Sequence, residues 1–149
     1  MRTPLYSRHI ELGARMIEFG GWEMPVWYSG GIAEHHAVRK GAGLFDVSHM
    51  GEILVTGRDS AAFLDYLTTN DASALVQGQV QYTFMLNERG GVIDDCTLYR
   101  IRDDVFMVVV NAANIEKDFS WLRSHMSGRV TVENASDEIG LIALQGPRS

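Results

Sequence analysis

Asn87-Glu88-Arg89-Gly90-Gly91-Val92-Ile93-Asp94-Asp95-Cys96-Thr97-Leu98-Tyr99 sets two adjacent carboxylates inside an apolar run, directly after a pair of glycines. The glycines permit the positive φ that a hairpin turn needs, so Val80–Leu86 and Val92–Ile101 read as two strands joined by this turn. Burying a carboxylate costs several kcal/mol unless a charge or a hydrogen-bond donor meets it, roughly on the scale of a whole domain's margin of stability. Two acids at strand positions therefore point to at least one that serves a ligand. The alternative is a strand entry in which one acid accepts hydrogen bonds from turn amides. Strand residues alternate between faces. Ile93, Asp95, Thr97, Tyr99 and Ile101 share one side, and Val92, Asp94, Cys96 and Leu98 share the other. Asp95, on the side with a hydroxyl and a phenol, is the better ligand candidate.

Outward from this hairpin the pattern is mixed helix and strand, without repeats or low-complexity linkers. Thr3–Leu12 reads as a short helix, Ala14–Phe19 as extended chain, Ile32–Arg39 as a helix and Leu44–Val55 as extended. Asp59 is placed to cap a helix whose core residues are Phe63, Tyr66 and Leu67. Asp103-Asp104 turns the chain into Val105–Val110, an apolar run suited to a strand covered on both faces. Ile115, Phe119, Leu122 and Met126 recur at helical spacing, with Asn111 or Asn114 as cap and Gly128 beyond the end. Arg129–Glu133 and Ile139–Leu144 read as closing strands. The fold class is α+β: a mostly antiparallel sheet over 51–133 with helices on one face. The segments 1–50 and 134–149 read as parts of a discontinuous first domain. Aromatic residues crowd the first of these (Phe19, Trp22, Trp27, Tyr28), and a strand ends in Gly146-Pro147. Both features lead us to expect a longer protein or a partner's surface.

Composition narrows the function classes. The chain has 149 residues, 46% of them hydrophobic, and a net charge of -6 at pH 7. Phosphate contacts require clustered Lys and Arg, which are missing, so nucleic acid is not an expected partner. The apolar runs are too short to span a bilayer, and a single cysteine, Cys96, builds no disulfide framework; a cytoplasmic protein without a membrane partner is expected. Cys96 follows two acids, which raise a thiol pKa, so it is not read as a nucleophile. His35 and His36 splay apart on a helix and do not share a metal ion. His49 lies near Asp46 and Ser48 in sequence, but strand alternation separates it from both, which favours a structural histidine over a catalytic triad. No Walker loop, dinucleotide fingerprint or zinc spacing occurs, and no metal site is expected.

Longer motifs carry a resemblance. Thr3-Pro4-Leu5-Tyr6, Phe19-Gly20-Gly21-Trp22-Glu23-Met24-Pro25, Gly43-Leu44-Phe45-Asp46-Val47-Ser48-His49-Met50-Gly51-Glu52 and Thr69-Asn70-Asp71 occur in order. Gly90-Gly91-Val92-Ile93-Asp94-Asp95, Val110-Asn111-Ala112-Ala113-Asn114 and Leu144-Gln145-Gly146-Pro147 follow. Together they resemble the aminomethyltransferases of the glycine cleavage system, the T-proteins, from end to end of the chain. The resemblance implies the following expectations. The enzyme takes an aminomethyl group from the lipoyl arm of a lipoylated H-protein onto tetrahydrofolate as co-substrate, releases ammonia and forms 5,10-methylenetetrahydrofolate. Asp95 matches the family's catalytic acid. Tyr82 and Tyr99 match positions lining the folate cavity, Asn111 a polar residue on the pterin, and Met50 a residue touching it from below. Cys96-Thr97 stands where relatives carry an apolar pair. Family members are more than twice this long, so the chain is expected to be an N-terminal part, incomplete at the C-terminus, that alone binds folate weakly and turns over little or nothing. The alternatives are a folate-dependent demethylase relative and a non-catalytic module that binds folate or a partner.

Overall fold

The computed structural model describes Met1–Ser149, and the chain divides into two compact units. The first comprises Met1–His49 and Gly140–Ser149, the second Met50–Ile139. The architecture is α+β, and every strand pairing is antiparallel.

In the first unit, α1 (Tyr6–Glu11) and α2 (Gly31–Lys40) accompany two small sheets. One pairs β1 (Arg15–Phe19) with β2 (Trp22–Trp27); the other pairs β3 (Gly43–Asp46) with β9 (Ile142–Gln145). The helix expected over Thr3–Leu12 is shorter, because Pro4 keeps the residue before it out of the helical region. The continuous strand expected over Leu44–Val55 is two strands of two different sheets. Asp46 accepts the Ser48 amide at 3.0 Å, and this side-chain turn ends β3 before β4 begins at Gly51.

The second unit carries the site. Its elements are β4 (Gly51–Thr56), α3 (Ser60–Leu67), β5 (Val80–Leu86), β6 (Val92–Arg102), β7 (Val105–Val110), α4 (Ile115–Ser124) and β8 (Thr131–Asn134). This is the order the hydrophobic periodicity predicts. The five strands form one sheet in the order β5-β6-β7-β4-β8.

Register fixes the two faces. Leu98 stands opposite Val108, and Val108 opposite Ile53, so these side chains share a face. That face is dry: Ile53, Val55, Cys96, Leu98, Phe106, Val108 and Val110 pack with Phe63, Leu64 and Leu67 of α3 and Leu122 of α4. Both helices of the unit thus cover one face. Such burial contributes about 25 cal/mol per Å² of apolar surface and is the main source of the unit's stability. Tyr66, expected in this core, is 80% exposed, and Met126 lies beyond the end of α4 and is exposed.

The outer edge of β5 is taken up locally. The Thr69 amide donates to the Phe84 carbonyl at 3.0 Å, the Phe84 amide to Thr69 Oγ1 at 3.2 Å, and Asn70 Nδ2 to the Tyr82 carbonyl at 2.6 Å. The Thr69-Asn70 segment therefore occupies backbone groups that an edge strand otherwise leaves open.

Candidate functional site

The site grows from the hairpin that delivers β6. Gly90, at φ 77°, closes the turn, and Asn87 Oδ1 accepts the amides of Arg89 at 2.9 Å and Gly91 at 3.0 Å. An asparagine, not one of the two acids, serves the turn, which frees both carboxylates for other roles.

Asp94 and Asp95 point to opposite faces, as alternation requires. Asp95 lies on the face without helices, half-buried, and joins no ion pair. Its Oδ2 accepts the Tyr82 phenol at 2.8 Å and its Oδ1 accepts Asn111 Nδ2 at 3.0 Å. Tyr82 comes from β5 and Asn111 from the end of β7, so three chain segments converge on one carboxylate. The hydrogen bond to Asp95 raises the Tyr82 phenol above its ordinary pKa, which keeps it a donor across the physiological range. Beside it, Phe84 meets Tyr82 edge-on with ring centroids 5.3 Å apart, and both rings are partly exposed. The face thus presents an aromatic wall next to a carboxylate, an arrangement that suits a flat, N–H-bearing heterocycle.

The sequence-predicted residues separate into those joined by contacts and those joined only by face. Asp95, Tyr82 and Asn111 form one hydrogen-bonded cluster. Tyr99 lies on the Asp95 face further along β6, opposite Val80 and Met107, and makes no side-chain hydrogen bond. Met50 immediately precedes β4, where Gly51 pairs with Val110, so the chain places Met50 level with Asn111.

Asp94 belongs to the helix face and is buried. It accepts the Asn111 amide at 3.2 Å, Asn111 Nδ2 at 2.9 Å and Asn114 Nδ2 at 2.8 Å. Burial alone would raise its pKa. Hydrogen bonds from Asp118, Asn111 and Asn114 outweigh it and hold the group below the ordinary carboxylate value. This corrects the sequence expectation that Asn111 or Asn114 caps α4. Asn114 occupies the N-cap position but makes no side-chain cap, because a charged acceptor outcompetes the helix amides. Cys96 is buried and its thiol is pushed up to about 12 by burial and by the neighbouring acids, so it is inert as a nucleophile.

The GCVT N-terminal domain model matches residues 5–149. The chain belongs to this family. Aminomethyltransferases of Thermotoga maritima and Bacillus licheniformis are 53% identical over 149 residues and 55% identical over 148 residues, respectively. Each alignment covers 99% of the chain and 41% of the relative, so the chain spans about two-fifths of the curated proteins it matches. A crystal structure of the glycine cleavage system aminomethyltransferase T from Bartonella henselae superposes with a TM-score of 0.90 at 41% identity, over 99% of this chain and 41% of that one.

One polar cluster of this GCVT domain escaped the sequence reading. The sequence sets Asp46 near His49, yet its partner is His9: His9 Nε2 lies 2.8 Å from Asp46 Oδ2 and His9 Nδ1 lies 2.8 Å from the Tyr28 phenol. Thr3 Oγ1 donates to the same carboxylate at 2.6 Å. Burial would raise the Asp46 pKa, but the donors Thr3, His9 and Ser48 hold it down. His49 instead meets Phe19 edge-on at 5.8 Å. His9 lies 37 residues from Asp46, beyond the reach of any local pattern. The only sequence signal was a histidine in a short helix, and it points to no partner.

Proposed function

We propose that this chain supplies the acid-bearing part of a tetrahydrofolate-dependent aminomethyltransferase of glycine cleavage. The observation that carries the proposal is Asp95: a carboxylate without a cationic partner, held by Tyr82 and Asn111 beside the partly exposed aromatic rings of β5, in a chain more than half identical to named aminomethyltransferases.

In this reaction the aminomethyl group arrives on the lipoyl sulfur of a carrier protein. Its methylene carbon passes to the two folate nitrogens, ammonia leaves, and the lipoyl group departs as a dithiol. Positive charge develops where the amine departs, and a fixed carboxylate stabilises it without reorganisation. Asp95 also orients the folate amines by accepting their N–H groups and takes up a proton as the new C–N bonds close. Tyr82 and Asn111 keep the carboxylate in place. Tyr82 and Phe84 offer the flat apolar surface against which a pterin stacks, with Tyr99 and Met50 completing the wall.

The test uses the chain as it is, and a chimera in which it replaces the matching N-terminal part of the Thermotoga maritima relative. Calorimetric titration with tetrahydrofolate is expected to give weak binding to the chain and much tighter binding to the chimera, which also forms methylenetetrahydrofolate from the aminomethylated carrier. A chimera that folds and binds folate but turns over nothing would assign the chain to binding alone. One that binds no folate would overturn the proposal.

A further inference from the structure

The helix-face acid has a neighbour that the reaction above does not use. Asp118, on α4, is fully buried, and neither of its oxygens meets an N–H or hydroxyl donor. Asp118 stands one helical turn beyond Asn114, whose Nδ2 donates to Asp94 at 2.8 Å, so α4 brings its buried carboxyl to the Asp94 side of the sheet. Asp94 already accepts three N–H groups, from the Asn111 backbone and from the Asn111 and Asn114 side chains. Two carboxyl groups in contact share one proton, and the one with fewer donors keeps it. That is Asp118.

A second observation concerns Asn111. Its Nδ2 meets Asp94 Oδ1 at 2.9 Å, Asp95 Oδ1 at 3.0 Å and the Asp95 carbonyl at 3.2 Å. All three are acceptors, so only the NH₂ end of the amide fits there, and the side-chain oxygen is the end left for a ligand. This orientation depends on Asp94 staying charged and in place.

We propose that Asp118 is a positioning residue for the Asp95 site: it donates its proton to Asp94, and Asp94 in turn holds Asn111 with its NH₂ on the two acids and its oxygen turned to the ligand. The inference rests on the folate reading for its ligand, though not for its geometry. Burial first, and Asp94 second, hold the Asp118 carboxyl up to about 8, so it keeps its proton at neutral pH. The other titratable groups facing it are Lys117 on its own helix, whose Nζ is 3.8 Å from Asp118 Oδ1, and Cys96 on β6, neutral well above that range. Once Asp118 ionises, two carboxylates oppose each other in a dry site and the Asn111 anchor is lost.

Folate affinity of the chimera is therefore expected to fall roughly tenfold between pH 7 and pH 9, as linkage to one proton requires. Asp118→Asn keeps a donor on Asp94 and does not titrate. It should bind as wild type at pH 7 and lose the alkaline fall, whereas Asp118→Leu should bind more weakly at pH 7. An Asp118→Asn variant that retains the wild-type alkaline fall, or an Asp118→Leu variant that binds as tightly as Asp118→Asn, would overturn the proposal. Carbon-13 titration of the aspartate carboxyls in the unsubstituted chain needs neither a variant nor a ligand. Asp118 should titrate near pH 8 together with the Asn111 side-chain amide signals, and titration in the ordinary carboxylate range would overturn the assignment. Should the chimera bind no folate at any pH, the proposed function fails and these signals still decide the role of Asp118.

Discussion

Glu52→Gln is expected to stabilise the chain at alkaline pH and to do little in mild acid. Glu52 sits on β4, fully buried, and neither carboxyl oxygen accepts a hydrogen bond. Burial holds its carboxyl up to about 7, against 4.5 in the unfolded chain. The folded state binds the proton more tightly, so stability is greatest below pH 4.5 and is lost as pH rises through 7. At 1.36 kcal/mol per pH unit, the penalty grows by roughly 2–3 kcal/mol between pH 5 and pH 8. Glutamine keeps the shape and removes the titration. Urea unfolding of both forms at pH 5 and pH 8 should show the stability difference moving by that amount in favour of glutamine. A difference that stays constant within about 0.5 kcal/mol would mean that Glu52 has an ordinary pKa, and the reasoning from its buried, unpartnered oxygens would be wrong.

Asp95→Asn in the chimera should lower turnover by about 10² while changing folate affinity less, as steady-state kinetics and calorimetry would show, because the charge acts mainly on the transition state. Tyr82→Phe removes one donor from Asp95 and should cost less, about tenfold in kcat/KM. Gly57→Ala should destabilise by about 3 kcal/mol or more in urea unfolding, since φ is 122° and a Cβ would collide with the Arg129 carbonyl oxygen. His9→Ala leaves Asp46 buried without its imidazole and should cost roughly 2 kcal/mol by the same assay.

The second unit was legible from Gly51 to Glu133 because its periods are unambiguous. Val105–Val110 and the Ile115, Phe119, Leu122 series each fit a single element. Alternation along β6 alone also separates Asp95 from Asp94. What local pattern could not supply was partners. Asn111 and Asn114 looked like helix caps because capping is a local property, whereas Asp94, their actual acceptor, lies 17 and 20 residues away. Asp46 lost its true partner for the same reason. The break between β3 and β4 was hidden because Leu44–Val55 is apolar at both ends and has no proline between them; one Asp46–Ser48 hydrogen bond ends the first strand there. The role of Asp118 was equally invisible, since an acid in the first turn of a helix ordinarily reads as a response to the helix dipole.

The strand that displays Tyr82 would ordinarily be the most adhesive part of this unit, a row of bare amides and carbonyls inviting a second chain to add itself. Thr69 and Asn70 sheathe that row from within the molecule. The aromatic face can therefore remain uncovered, while stacking of one copy on another into a continuous ribbon is discouraged at the border where it would begin.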